Sequence, residues 1–276
     1  GLEFPEIREF VKSFDNVVWV KPKLTFTEVI TKYGYPIISK NISNTIHGAK
    51  KDNVRWKCLM GIQTMKDGTG SSLFNCSKWK FMLDADFRVG DNCCQVMKKS
   101  PVKKYEKETG RKSYAGMMTN ESLKRRQAWL KTGCNAYEGR QQSNPIAFWT
   151  EQDILRYIQK YNLPYAPVYG ELKESNGILY FTNYNRTGCV FCGYGCHLEK
   201  EPNRFQTLAQ THPQLYDYCM RGGKYDESGM WVPDKGLGMA KVLDYINVKW
   251  WNDGDEAKRD EYRAKYKEKE EIEQSR

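Results

Sequence analysis

Two short cysteine arrangements constrain this chain more than any other feature: an adjacent pair, Cys93-Cys94, and a distant Cys189-Val190-Phe191-Cys192. A Cys-x-x-Cys step lets two thiolates converge on one centre, and thiolates are soft ligands suited to zinc or to iron–sulfur clusters. Gly188, Gly193 and Gly195 leave the backbone free to turn tightly around such a centre. Taken alone, the step fits a zinc knuckle, an iron–sulfur site or a redox dithiol. The adjacent pair separates these. In a strand or helix its two side chains point in different directions. At a turn or helix start, both can face a multinuclear cluster whose irons sit at separate corners. A single zinc ion accepts vicinal thiolates less readily, so the pair weights the reading toward a cubane, with zinc as the alternative. Cys196 and His197 are ambiguous: with Cys189 and Cys192 they could complete a zinc site, or they could sit in the wall beside a cluster. Cys58, Cys76, Cys134 and Cys219 have no spacing partner and read as buried thiols.

The nine cysteines are an odd number. The first residues, GLEFPEIREF, lack the basic and apolar regions of an export signal, so a cytoplasmic location and no disulfide framework are expected. No run reaches the ~18 apolar residues of a membrane span. The length of 276 residues suits one large domain or two small ones. A formal net charge of +10 favours anionic partners: a nucleotide, a nucleic acid, or a phosphorylated or sulfated small molecule. The basic residues are spread along the chain, without the long tract of a nucleic-acid tail.

Hydrophobic periodicity indicates strands mixed with helices, hence an α/β sheet domain. Helices are expected over Pro5–Phe14, Thr25–Tyr33 (stopped by Gly34), after Cys93-Cys94, over Glu121–Trp129, and from Thr150. In the last of these, Thr150 is the N-cap, Asp153 the reciprocal capping residue, and Pro164 the end. Val17–Val20 reads as a short buried strand, Ser113–Met118 as a strand, and residues 171–178 as a hairpin or loop about Asn176-Gly177, followed by a strand over Ile178–Thr182. Residues 43–75, interrupted by glycines, look less regular. The final stretch, 246–276, is rich in Lys, Glu, Asp, Arg and Tyr, and reads as a solvated helix or tail rather than a core element. Residues 1–245 are read as one α/β domain with a cysteine-rich subdomain at about 180–222.

These residues together resemble the phosphoadenosine phosphosulfate (PAPS) reductase family, over roughly residues 1–245. Cys93-Cys94, then Lys98 and Lys99 before Pro101, then Cys189-x-x-Cys192, look like the pattern of assimilatory adenylyl-sulfate reductases. Gly116-Met117-Met118-Thr119-Asn120-Glu121-Ser122 with Arg125 is similar to the family's Gly-x-Arg-x-x-Gln/Glu-Ser-x-x-Arg motif. Pro145 to Gly170, with Trp149, and Glu199 to Phe205, with Arg204, resemble the segments that flank its substrate.

The resemblance implies an adenine-nucleotide hydrolase-like (PP-loop, HUP-type) fold with a mostly parallel sheet flanked by helices. It also implies a 4Fe–4S cluster on Cys93, Cys94, Cys189 and Cys192, and an adenylylated sulfate or ATP as substrate. A thioredoxin-like electron donor would follow if the chain is a reductase. Glu121, Ser122, Arg125, Arg186 and Arg204 become the expected substrate-binding residues, because guanidinium grips phosphate and sulfate as a bidentate fork. Lys98, Lys99 and Trp149 are weaker candidates. The sequence departs from the family pattern in three places. The Ser-Gly-Gly-Lys-Asp-Ser phosphate loop, with the first β-α unit, would lie upstream of Gly1. Met118 stands where the motif carries Arg. The Glu-Cys-Gly-Leu-His segment with the nucleophilic cysteine is not found, which leaves Cys134 and Cys219 as thiol candidates. A metal-stabilised scaffold for a partner or nucleic acid is the alternative to an enzyme.

Overall fold

The helices begin where their caps are. Thr25 accepts from the Glu28 amide at 3.3 Å while Glu28 accepts from the Thr25 amide at 2.7 Å, and a helix runs from Phe26. Thr150 and Asp153 form the same reciprocal box, at 3.2 and 2.8 Å, and that helix stops at Tyr161 on a left-handed Asn162, two residues before Pro164. Thr150→Ala is expected to lower the melting temperature by about 2–4 °C. The Thr150 amide, then its hydroxyl, hold the Asp153 carboxyl below its ordinary value. The contribution of the box is therefore present above the unfolded carboxylate pKa of about 3.9 and fades as pH falls through the folded value. A thermal-melt series against pH checks both.

The computed structural model describes residues 2–49, 53–62, 68 and 75–274. Its first elements are α1 (Pro5–Lys12), α2 (Phe26–Tyr33), β1 (Ile37–Ile38), α3 (Lys40–Ala49) and α4 (Asn53–Met60). Then come α5 (Ser100–Thr109), β2 (Ser113–Tyr114), α6 (Leu123–Thr132), β3 (Asn135–Ala136), β4 (Gln142–Ser143) and α7 (Glu151–Tyr161). The hairpin β5 (Leu172–Ser175) and β6 (Ile178–Phe181) precedes β7 (Gly193–Tyr194), α8 (Arg204–Thr211) and α9 (Pro213–Met220). The chain closes with β8 (Lys224–Tyr225), β9 (Trp231–Val232), α10 (Met239–Tyr245) and α11 (Glu256–Gln274). No helix among the described residues is long and apolar enough to cross a membrane.

The chain divides into two units, Gly1–Val20 with Pro101–Val190, and Lys21–Ser100 with Phe191–Arg276. In the first unit β4 lies between β2, parallel to it, and β3, antiparallel. The hairpin β5–β6 turns on Asn176 and Gly177, both at positive φ (50° and 76°), as an Asn-Gly two-residue turn requires. Gln152 clamps α7 to β6, giving to and taking from Leu179 at 2.8 and 2.9 Å. Leu2 and Phe4 are buried, and Val190 donates to the Leu2 carbonyl at 2.8 Å.

The second unit is built on a short, mostly parallel sheet. Ile37 and Ile38 pair in parallel with Gly193 and Tyr194. On the other side Tyr35 bridges Val89, and Phe87 bridges Trp231, both parallel. The antiparallel β8–β9 pair ends the row. The α/β class and a parallel sheet are therefore as expected. The core here is heavy in aromatics: Tyr35, Trp231 and Trp250 are all at most 2% exposed.

Three sequence readings need correction. Val18, Trp19 and Val20 form no strand and are 58, 51 and 40% exposed; an apolar run without a pairing edge has nothing to bury it. The irregular stretch predicted from residue 43 is instead helical over Lys40–Ala49 and Asn53–Met60, with residues 63–67 and 69–74 outside the described set. The charged end is not merely solvated: Tyr262 and Tyr266 of α11 are buried, Tyr262 donates to Asp217 at 2.6 Å, and Arg263 forks onto Asp244 at 2.7 and 2.8 Å.

Candidate functional site

The sheet of the second unit decides where its cysteines meet. β1 pairs in parallel with Gly193 and Tyr194, and Tyr35, just before β1, bridges Val89 in parallel, so residues 87–89 form a first flank and 193–194 a second. Cys93 and Cys94 follow the first flank; Cys192 immediately precedes the second. The register is staggered: Val89 pairs with Tyr35 but Gly193 with Ile37, so Cys192 falls at the height of Gly90, just past the first flank. The turn after Val89 is fastened across the strand by the Tyr194 hydroxyl, which donates to the Gly90 carbonyl at 3.0 Å. Helical backbone starts at Cys93-Cys94, then widens into a π-turn over Gln95–Lys99, a local irregularity found often at functional sites.

Tyr194 is the hub of this group. Burial first, then Cys94, Cys93 and Cys192 and the Asp91 carboxylate, push its phenol far above the ordinary value. Burial also raises the Cys192 thiol, opposed by the Tyr194 amide hydrogen bond and by the nearby Arg204 and Lys98 cations. An amide N–H aimed at a sulfur and two cations beside it are what a ligating thiolate needs, and N–H···S bonds tune iron–sulfur centres. The donor set thus fits a thiolate-bound group. Among the described residues, no three of His, Cys, Asp and Glu converge on a point that one metal ion could fill.

Arg204 is anchored here and is not a free side chain. It donates to the Cys192 carbonyl at 2.9 Å and is ion-paired to Glu199. Burial pulls its pKa down, but Glu199, Cys192 and Cys196 together outweigh that and leave it raised. Cys196 donates to the Gly193 carbonyl at 3.0 Å, and burial above all pushes its thiol up to about 12. Cys219 is wholly buried, and burial, then Cys196, raise it further, which makes it a poor nucleophile. His197 sets its ring edge-on to Trp79 at 5.1 Å, and its Nδ1 is buried with no hydrogen-bond partner among the described residues.

The first unit carries the other candidates. Ser122 caps α6 by accepting from the Arg125 amide at 3.3 Å; Glu121 accepts from the Met118 amide at 3.0 Å and pairs with the Arg125 guanidinium. Arg125 and Met118 line a cavity of about 190 Å³, with Lys124, Trp129 and Asn144. The Trp129 indole N–H is buried without an acceptor among the described residues. Arg186 is exposed and has no ion pair among the described residues. Trp149 is half-buried and packs edge-on against Tyr157 at 5.3 Å. Cys134 and Cys189 are half-buried thiols.

Cys93, Cys94 and Cys192 share one unit, whereas Cys189, Glu121, Ser122, Arg125 and Arg186 belong to the other. Sequence reasoning missed Tyr194, Asp91 and Gly90. The Gly193-Tyr194-Gly195 stretch was the available signal, since an aromatic between two glycines beside a Cys-x-x-Cys has little reason to be there unless it packs on the site.

A family model described as the phosphoadenosine phosphosulfate reductase domain matches residues 4–194, which takes in all four motif cysteines and the Gly116–Arg125 segment but not Arg204. Comparison with curated proteins and with solved structures found no significant match.

Proposed function

This chain belongs to the phosphoadenosine phosphosulfate reductase family, and from that premise we propose that it acts on an adenine nucleotide carrying a sulfate or phosphate group, beside a 4Fe–4S cluster. Three thiolates come from Cys93, Cys94 and Cys192; the fourth falls to Cys189, which completes the Cys-x-x-Cys step in the chain. The observation that supports this reading is that Cys93, Cys94 and Cys192 all act electrostatically on the Tyr194 phenol, with Arg204 donating to the Cys192 carbonyl. A bound cluster would supply fixed charge and a redox-active centre near an anionic substrate. Arg186 and Arg125 are the anion-binding side chains: the first has no ion pair among the described residues, and the second can exchange Glu121 for a substrate oxyanion. Met118 supplies no charge at the motif's first cationic position, so Arg125 and Lys124 carry that wall alone.

Anaerobic purification with iron, sulfide and zinc analysis tests the cluster. A brown protein with about four irons per chain, losing them in Cys93→Ser and in Cys192→Ser, is the expected result. A colourless protein with one zinc that persists in Cys93→Ser overturns it. Calorimetric titration of the natural polypeptide with ATP, adenylyl sulfate and PAPS tests the substrate class. Micromolar binding to one of the three, weakened about ten-fold or more in Arg186→Ala, is expected. No binding to any of them at millimolar concentration overturns the enzyme reading and leaves a scaffold.

A further inference from the structure

A second charged site lies wholly within the first unit. The end of α5, the turn after it and the loop before β4 enclose a cavity of about 300 Å³. Lys103, Lys107, Arg111, Lys112 and Arg140 line it, against one carboxylate, Glu106. That carboxylate is already engaged: Arg140 donates to it at 2.8 Å and Ser113 at 3.0 Å, and these, with burial opposing, hold its pKa below the ordinary value. Arg111 is steadied by the Tyr105 hydroxyl at 3.0 Å. Lys103, Lys107 and Lys112 have no ion pair among the described residues and are exposed. Like charges packed this closely repel one another, and a polyanion relieves that repulsion while releasing its own counterions.

An independent feature indicates which polyanion. Tyr114 follows Lys112 by two residues and is 82% exposed; Tyr137 precedes Arg140 by three and is 77% exposed. Tyr114 lies on β2, and Tyr137 follows β3, the two strands that flank β4. Aromatic rings this open bury little on folding, so core packing does not account for them. Cations that track a backbone, with exposed rings on which bases stack, form the recurrent surface for single-stranded nucleic acid.

We propose that this basic cavity and its two tyrosines bind single-stranded nucleic acid, the cations on successive phosphates and Tyr114 and Tyr137 under the bases. The proposal is independent of the cluster and of nucleotide turnover.

Fluorescence anisotropy tests it, with labelled oligothymidylate, oligouridylate and a duplex, each of about 20 nucleotides, at salt from about 50 to 200 mM. Binding of a single strand more tightly than the duplex is expected, with a log–log salt slope near −3, the value for about four phosphates. The triple variant Lys103→Gln/Lys107→Gln/Lys112→Gln should weaken binding at least ten-fold and flatten the slope by about 2. Tyr114→Ala/Tyr137→Ala should weaken it about five-fold or more with the slope unchanged. A charge-matched control, Lys57→Gln/Lys80→Gln/Lys160→Gln, should leave affinity within about two-fold, because none of these lysines lines the cavity. All eight substituted side chains are exposed, and circular dichroism confirms folding. No binding at the lowest salt, tighter binding of the duplex, equal losses in the control, or an unaffected tyrosine variant would each overturn the proposal. The relative affinity for the two homopolymers assigns DNA or RNA.

Discussion

Lys241→Ala is expected to lower stability by about 3 kcal/mol, seen as a fall of about 6–12 °C in melting temperature. Lys241 is a lysine with 5% of its side chain exposed, on a helix buried in an aromatic core. Its ammonium lies 3.0 Å from Asp86 and faces the rings of Tyr266, Tyr225 and Trp231 at 5.3, 5.5 and 5.9 Å. Asp86 depends on it. Its Oδ2 is shared with the Tyr225 hydroxyl, and its Oδ1 is buried with no partner among the described residues. Removing one member of a buried pair leaves an uncompensated charge, at about 3–5 kcal/mol. Asp86 keeps 36% exposure and can partly rehydrate, which selects the lower end.

Lys241→Met retains the apolar stem, and adding Asp86→Asn removes the stranded charge, so the double variant should recover most of the loss. Alkali gives a second check. Burial pulls the Lys241 pKa down, but the Tyr225 hydroxyl and Asp86 outweigh it and raise it overall. A raised pKa contributes stability that is whole below the unfolded value of about 10.4 and is lost as pH rises through the folded one. Urea midpoints between neutral and strongly alkaline pH should therefore converge for wild type and Lys241→Met.

Gly90→Ala should do more harm than any other single methyl. A Cβ at Gly90 would lie 1.9 Å from the Tyr33 carbonyl oxygen and 2.8 Å from its carbon, both backbone atoms at the end of α2. Neither can rotate away, so the strand carrying Gly90 must move off α2, at a cost above about 3 kcal/mol. Gly90 also accepts the hydroxyl of Tyr194 and opens the turn that leads to Cys93 and Cys94. With the cluster bound as proposed, iron content per folded chain is expected to fall by more than half, measured beside the unfolding midpoint at low temperature. Gly48→Ala is the contrast. Its Cβ would meet the Arg55 side chain at 2.2 Å, which can swing aside, and alanine favours the helix by about 1 kcal/mol. A near-neutral Gly48→Ala beside a severe Gly90→Ala would identify backbone contact as the cause; equal effects would refute it.

Features that depend on a few neighbouring residues were legible in the sequence. The box at Thr150–Asp153, the helix that starts at Thr25, the Asn176-Gly177 turn and the stop at Gly34 all appear where the residues put them. Each is decided by contacts within about four positions, so tertiary packing had little to add. Val17–Val20 shows the opposite: its composition suits a strand, but a strand exists only where another offers it an edge. The same holds for α11, whose charged sequence conceals that Tyr262 and Tyr266 meet a core formed by residues far earlier in the chain.

What the sequence alone determined is the chemical inventory and the local grammar: thiols at motif spacing, a helix bearing Arg125, and a basic surplus. The family followed from those residues and is borne out by the match over residues 4–194. Only the tertiary structure brought Cys93, Cys94 and Cys192 within electrostatic reach of the Tyr194 phenol. That arrangement arises because Val89 bridges Tyr35 in parallel while Gly193 and Tyr194 pair in parallel with Ile37 and Ile38. Parallel pairing has no local turn to announce it; its partners are set by burial on both faces, a property of the whole unit and not of any short segment.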